Sequence, residues 1–249
     1  MNIKLLGKNL GDIAPLLEKY SLRESNDDFS AVITHGGDGS LLGAERDYPG
    51  VPKFPIRDAA TAPTCPEHAL EARLEKFSSG EYELTRLVKV KASVNGKTLT
   101  ALNDVFLHNA DFGSALRYRV KIDGELYANE VAGDGVCLAS PHGSSAYYRS
   151  ITHSLFRTGL GLAFSNSTEE VDHLVLKESS TVEVTITRGP GILLADNSPE
   201  RITVNEGDTV LFSIAGEQAL IWDLAGFMCP KCRLLRHPNK LPFAGLKNQ

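Results

Sequence analysis

No stretch of this 249-residue sequence strings together enough apolar residues to cross a bilayer, and the N-terminal Met1-Asn2-Ile3-Lys4-Leu5-Leu6-Gly7 has no long apolar segment of the kind a secretory signal needs. The expectation is a cytoplasmic protein without a membrane partner. Base is not in excess either. Lysine and arginine number 26 against 31 acidic residues, a formal charge of -5, so no broad positive field exists to hold a nucleic-acid backbone or an anionic lipid surface. Any phosphate must be held by a local device. Cysteine is scarce: of four, Cys65 and Cys137 stand alone and only Cys229 and Cys232 are close, which argues against a disulfide framework. Internal repeats, low-complexity tracts and long linkers are also missing, so any domains should pack closely. What remains is an ordinary globular composition, 42% hydrophobic and 23% charged, over a length that suits one large domain or two modest ones.

What is present is a glycine-rich turn at the end of an apolar run. Ala31-Val32-Ile33-Thr34-His35 leads into Gly36-Gly37-Asp38-Gly39-Ser40, and the helix-like Leu41-Leu42-Gly43-Ala44-Glu45-Arg46 follows. Glycines at a helix entrance let a phosphate approach backbone N–H groups at the positive end of the helix dipole. One carboxylate, Asp38, sits in that cradle. Beside a phosphate a carboxylate is unfavourable unless it binds a metal or takes a proton from an attacking hydroxyl, which makes Asp38 the first catalytic candidate. The same residues also read as a plain strand-to-helix turn, its glycines supplying positive φ and Asp38 capping the helix.

The first part of the chain alternates β and α. Ile3 to Leu6 forms a short strand, Leu10, Ile13, Leu17 and Tyr20 fall at roughly helical spacing, and Ala31 to Thr34 forms the next strand. Val51-Pro52-Lys53-Phe54-Pro55-Ile56 is too rich in proline for a central strand and reads as an edge or an extended loop. Thr64 and Glu67 form a capping box ahead of an apolar stripe at Leu70, Leu74 and Phe77, with Gly80 as the stop. From about Arg86 the period changes to two. Val88, Val90, Ala92 and Val94 alternate with polar residues into the hairpin signal Asn95-Gly96, and Tyr118, Val120 and Ile122 do the same into Asp123-Gly124. Val182, Val184 and Ile186 repeat the alternation, and further strands are expected at Arg201–Val204, Thr209–Ile214 and Ala219–Asp223, with a turn at Glu206-Gly207. The switch divides the chain into an N-terminal Rossmann-like α/β domain (1–85) and a C-terminal β-sandwich-like domain (86–225), with a tail (226–249) packing back on the first.

Three further polar clusters follow. Asn103-Asp104, between apolar Ala101-Leu102 and Val105-Phe106-Leu107, can accept from and donate to sugar hydroxyls or an adenine edge, or can be a simple turn. Asp134-Gly135 leads through Val136 to Ala139 into Ser140-Pro141-His142-Gly143-Ser144-Ser145-Ala146-Tyr147, which offers hydroxyls, N–H groups and an aromatic face, or a serine-capped helix start. Asp196 closes the apolar run Leu193-Leu194-Ala195. Near the end, Cys229-Pro230-Lys231-Cys232 supplies half of a tetrahedral zinc site to which His237 could add a third ligand; free or redox-paired thiols are the alternative, since the sequence shows no complete second pair.

In this order, along nearly the whole chain, the clusters resemble the NAD kinase family, itself related to the diacylglycerol and sphingosine kinases. That family carries GGDG followed by Thr or Ser, then Asn-Glu or Asn-Asp, then DG with a TPTGSTAY-like stretch, then an Asp near the C-terminal strands. The resemblance implies an α/β domain and a β-sandwich domain with the active site between them. It implies phosphorylation of the adenosine 2′-hydroxyl of NAD by ATP or polyphosphate with a divalent metal, Mg2+. On it, Asp38 is the general base, Gly36, Gly37, Gly39 and Ser40 hold phosphates, and Asn103 and Asp104 contact the nucleotide. Asp134, Ser140, His142, Ser144, Ser145, Ala146, Tyr147 and Asp196 would line or border the NAD site. A homo-oligomer is expected, with small-molecule substrates and no nucleic-acid partner.

The chain departs from the family at several positions. Two of the TPTGSTAY threonines are serines, and His142 replaces the middle one, either as an ordinary surface histidine or as a phosphate partner when protonated. The Asn-Leu-Gly-x-Leu-Gly-Phe loop is replaced by Arg57-Asp58-Ala59-Ala60-Thr61-Ala62, and Ala132 stands where an arginine is common. A lipid kinase and a nucleotide-binding regulator without turnover are the rival readings. The first wants an apolar or basic surface for which the sequence gives no signal, and the second gains nothing from a carboxylate beside phosphates.

Overall fold

The computed structural model describes residues 1–111 and 113–237, so the last part of the expected tail, 238–249, lies outside the described residues. The chain divides into two compact units, one of Met1–Arg86 together with the chain from Ala219 onward, the other of Leu87–Gln218. In the first, β1 (Asn2–Gly7), β2 (Arg23–Glu24), β3 (Ala31–His35) and β4 (Lys53–Ile56) form a parallel sheet in the order β2-β1-β3-β4, with α1 (Asp38–Asp47) after β3 and α2 (Leu70–Ser79) after β4. Every residue of β3 is buried, as expected of a central parallel strand covered on both faces. Ile3, Leu5, Ile33, Phe54, Leu74 and Phe77 make its core, where Phe77 stacks on Tyr82.

The second unit is almost all strand. Its elements, with the start of the first strand and the end of the last belonging to the first unit, are β5 (Leu84–Val94), β6 (Lys97–Ala101), β7 (Asp104–Asn109), β8 (Leu116–Ile122), β9 (Glu125–Gly133), β10 (Gly135–Ala139), α3 (Tyr147–Thr152), β11 (Leu160–Ser165), β12 (His173–Leu176), β13 (Val182–Arg188), β14 (Gly191–Ala195), β15 (Ile202–Val204) and β16 (Thr209–Trp222). One antiparallel sheet runs β12-β11-β10-β7-β14-β15; the other runs β16-β13-β8-β9, with the β5-β6 hairpin pairing onto β16. The inward residues of both sheets, among them Val90, Leu107, Val120, Leu138, Leu162, Val184 and Phe212, share one core. The hairpin turns fall where the sequence put them. Asn95 and Gly96 both take positive φ, as do Asp123 and Gly124. After β16 come α4 (Leu224–Phe227) and α5 (Pro230–Arg236), both in the first unit. The architecture is thus an α/β domain plus a β-sandwich.

Four local expectations are corrected. Between Leu10 and Tyr20 the chain makes three short 3₁₀ turns rather than one helix, because Pro15 supplies no N–H and Gly11 no helical preference. The capping box at Thr64 and Glu67 does not form: a 3₁₀ turn at Pro66–His68 comes first, and α2 starts only after Ala69. The two strands expected at Thr209–Ile214 and Ala219–Asp223 are one strand, β16. The segment around Pro55 is a buried strand rather than an edge or loop. Val32 N–H reaches Pro52 O and Gly36 N–H reaches Ile56 O, so the side of Pro55 without an N–H faces away from β3. There the pairing with β16 is confined to Lys53 opposite Ile221, and the Pro55 carbonyl accepts from Arg73 instead.

Candidate functional site

In the first unit the site begins where β3 ends. Gly36 adopts φ 143, and a Cβ there would meet Ser40 Oγ at 2.3 Å, so the turn can be made only by glycine. Gly37, extended, is the N-cap, and helix α1 already starts at Asp38. Asp38, Gly39 and Ser40 are therefore the first helical turn rather than a loop, with Asp38 one place inside the cap. An acidic side chain is favourable at this end of the dipole, and the N–H groups of a first turn have no partner within the helix.

The Asp38 carboxylate is 67% exposed, yet it is held: Arg57 Nη2 donates to its Oδ1 at 2.9 Å from a side chain only 9% exposed. Arg57 in turn lies 3.7 Å from the centre of the Phe227 ring and donates through Nε to the Phe227 carbonyl. Burial lowers its pKa, and the Asp38 charge opposes that shift. In the sequence Arg57 stands out only as part of a replaced loop. A signal was available: β3 and β4 are parallel with His35 beside Ile56, so the residue after β4 must come out beside the glycine turn after β3. The loop beyond is braced by Asp58, which accepts from Asn9 Nδ2 and from the Ala60 N–H.

In the second unit a cavity of about 230 Å³ is lined by Asp104, Phe106, His108, Tyr147, Leu194 and Asp196. The Tyr147 ring, 45% exposed, packs 5.1 Å from Phe106, which meets His108 edge to face. Burial, reinforced by the neighbouring Asp196 charge, pushes the Asp104 carboxyl up to about 7 despite the Tyr147 backbone N–H that favours its ionised form. Asp104 therefore can both accept and donate near neutral pH. Asp196 is occupied otherwise: its two oxygens accept the backbone N–H groups of Leu102, Asn103 and Asp104 at 2.7–3.2 Å. Its pKa is raised by burial, against those bonds.

The expected serine hydroxyls sort into two kinds. Ser140 Oγ donates to Leu102 O and accepts from Gly143 N–H, and Ser144 Oγ donates to Pro141 O, so both are spent inside the fold. A Cβ on Gly143 would meet Asn103 O at 2.1 Å, which presses this stretch against the Asn103-Asp104 turn and leaves no room for another residue. Ser145 is exposed and Ala146 and His142 half-buried, while Asp134 accepts from Asn166 outside the cavity. Asn103 is half-buried, and its backbone carries the contacts described. A second depression of about 390 Å³ also has Tyr147 in its wall, with Asn166, Glu170 and Asp172.

Cys229 and Cys232 are brought together with Cys65 and His68, all four ligand atoms lying within 4.8 Å of one another. The expected third ligand His237 is not in this group. Five residues past Cys232, at 100° per helical residue, it points about 140° around the axis from it, and it is exposed.

The model of the ATP-NAD kinase C-terminal domain matches residues 102–222. The NAD kinase of Clostridium beijerinckii is 27% identical over 183 residues, 68% of this chain and 64% of that one. This chain spans between 45% and 64% of the length of the first curated relatives it matches. Among solved structures, yeast NADH kinase complexed with NADH superposes with a TM-score of 0.77 at 16% identity, over 98% of this chain and 89% of that one. An NAD kinase from Archaeoglobus fulgidus in complex with ATP gives 0.71 at 18% identity, over 92% and 96%. Both likenesses concern the fold. The motif order, the two-domain fold and the family model agree in making the chain similar to the NAD kinases.

Proposed function

We propose that the chain transfers a phosphoryl group from ATP to the adenosine 2′-hydroxyl of NAD, forming NADP. The observation that carries this reading is the Asp38 carboxylate, placed in the first turn of a glycine-led helix and held by a buried guanidinium. A group that only capped the helix would need no such holder. In the reaction Asp38 takes the proton of the attacking hydroxyl, and Arg57 keeps the carboxylate in one orientation while offsetting its charge near phosphate. Backbone N–H groups of the turn beginning at Gly36 bind the donor phosphates. Mg2+ would be carried by the nucleotide phosphates and its own waters, which leaves Asp38 to the proton. When bound, the ion would neutralise charge on the transferred group. Asp104 and the Tyr147 face bind the adenosine of NAD, with Asp196 and Ser140 fixing the turn that carries Asp104. NADH kinase and NAD kinase among the fold neighbours support a dinucleotide acceptor, and the ATP complex supports ATP as donor.

Calorimetric titration of Asp104→Ala with each nucleotide separately tests the acceptor site. Loss of a charge-assisted bond costs about 1.5–3 kcal/mol, so NAD should bind at least about tenfold more weakly and ATP unchanged. Equal weakening for both would contradict this division of labour. A lipid kinase or a plain ATP-binding regulator would show no heat with NAD even before substitution.

A further inference from the structure

The sequence contains two copies of one local pattern, Cys65-Pro66-Glu67-His68 and Cys229-Pro230-Lys231-Cys232, separated by most of the chain. In each, the cysteine is extended (φ -71, ψ 156 and φ -51, ψ 123) and the proline opens a helical turn, as a residue before proline and a proline at the first helical position should. The turn then places the cysteine and the residue three positions later on one side. Both knuckles lie in the first unit and face each other. Cys65, Cys229 and Cys232 are all at most 7% exposed and are free thiols that cluster together.

We propose that Cys65, His68, Cys229 and Cys232 bind one zinc ion, as a closed structural site that fastens α5 to the turn before α2. A Cys₃His set with all four positions filled by protein is that of a structural rather than a catalytic zinc, and thiolate-rich tetrahedral donors select zinc over the hard cations. With zinc–sulfur bonds of about 2.3 Å the edge of such a tetrahedron is about 3.8 Å. Cys65 Sγ and Cys229 Sγ are 3.8 Å apart, and His68 Nδ1 lies 3.1 Å from Cys65 Sγ and 3.5 Å from Cys232 Sγ. Cys65 Sγ and Cys232 Sγ are 2.9 Å apart, well beyond the bond length of about 2.05 Å of a disulfide. The Cys65 backbone N–H donates to Cys232 Sγ at 3.3 Å, the kind of bond that supports a thiolate ligand. Binding displaces three thiol protons and leaves a net charge of one negative on the zinc centre. Over the site, Lys231 and Glu67 form an exposed pair across the two knuckles at 4.0 Å.

The clamp also reaches the glycine turn. Cys229 follows two residues after Phe227, on which Arg57 lies, and Arg57 holds Asp38. This link rests on the phosphoryl-transfer reading, whereas the metal site itself does not.

The test is metal analysis of the full chain purified without chelator, and again after reduction and equilibration with zinc and removal of excess. The expected result is one zinc per chain, with cobalt substitution giving the intense visible bands of a tetrahedral thiolate site. Cys65→Ser and Cys229→Ser should each weaken zinc affinity at least about tenfold, while Cys137→Ser and His237→Ala keep full zinc. A zinc-free chain that takes up none after reduction overturns the proposal, as does a stoichiometric Cys65–Cys232 or Cys65–Cys229 disulfide with no metal affinity in the reduced state. Retention of zinc by both cysteine variants, or its loss in His237→Ala, overturns the ligand set. Stoichiometric zinc with no phosphoryl transfer supports the site and counts against the catalytic reading alone.

Discussion

Asp38 and Asp104 are the same side chain in contrary surroundings: the first is open to solvent against a guanidinium, and the second is enclosed beside another carboxylate and pushed up to about 7. The cation beside Asp38 holds one carboxylate oxygen and leaves most of the side chain open to solvent. Enclosure makes Asp104 a group that can give or take a hydrogen bond, which is what recognition of a sugar or base edge needs. Asp196 completes the series. Three backbone N–H groups occupy it, so its work is to shape the turn that presents Asp104.

The comparison breaks first at Asp38. Asp38→Asn should lower turnover by about 10²–10⁴-fold in an assay of NADP formation while nucleotide binding stays near normal; unchanged turnover would make Asp38 structural. Next comes Asp196→Ala, which leaves backbone N–H groups unpaired at a half-buried turn. A stability loss of about 2–4 kcal/mol is expected from denaturant midpoints, together with weaker NAD binding. A loss confined to NAD binding would mean that Asp196 touches ligand instead.

The third prediction uses pH. Because folding raises the Asp104 pKa from its unfolded value of about 3.9, the native state holds the proton more tightly, and stability from this group is full below about pH 4 and lost as pH rises to about 7. Asp104→Asn escapes that loss. Its midpoint relative to the unaltered protein should therefore rise between pH 4 and pH 8, by on the order of 1–3 kcal/mol, and a flat difference would show that Asp104 is an ordinary carboxylate. The smallest effect is expected at Arg57. Arg57→Met frees Asp38 without removing it, so turnover should fall about tenfold, roughly 1.4 kcal/mol of transition-state free energy, with NAD affinity unchanged.

What the sequence disclosed was local. The change from helical spacing to alternation at Val88, the Asn95-Gly96 turn and the Gly36-Gly37 break after a buried strand each depend on neighbours in the chain, and each was visible there. Partners from distant segments were not. Cys65 reads as solitary until a segment 164 residues away meets it, and the sequence gives no sign that the Asp196 carboxylate, at the cavity wall, also holds a turn more than ninety residues earlier. Ser140 and Ser144 have the hydroxyls that binding would use, but only the fold reveals that both are spent on backbone carbonyls. Pro55 misled for the opposite reason: a residue type poor for central strands is tolerated where its bare nitrogen faces no ladder.

The most direct test of the central claim is a coupled assay of NADP formation by the unaltered chain, with NAD as acceptor and ATP or polyphosphate as donor in parallel, in the presence of Mg2+. The account predicts NADP formation that depends on donor and enzyme and falls at least about a hundredfold in Asp38→Asn. No NADP with either donor from protein that binds both NAD and ATP, or equal rates from the two proteins, would contradict it.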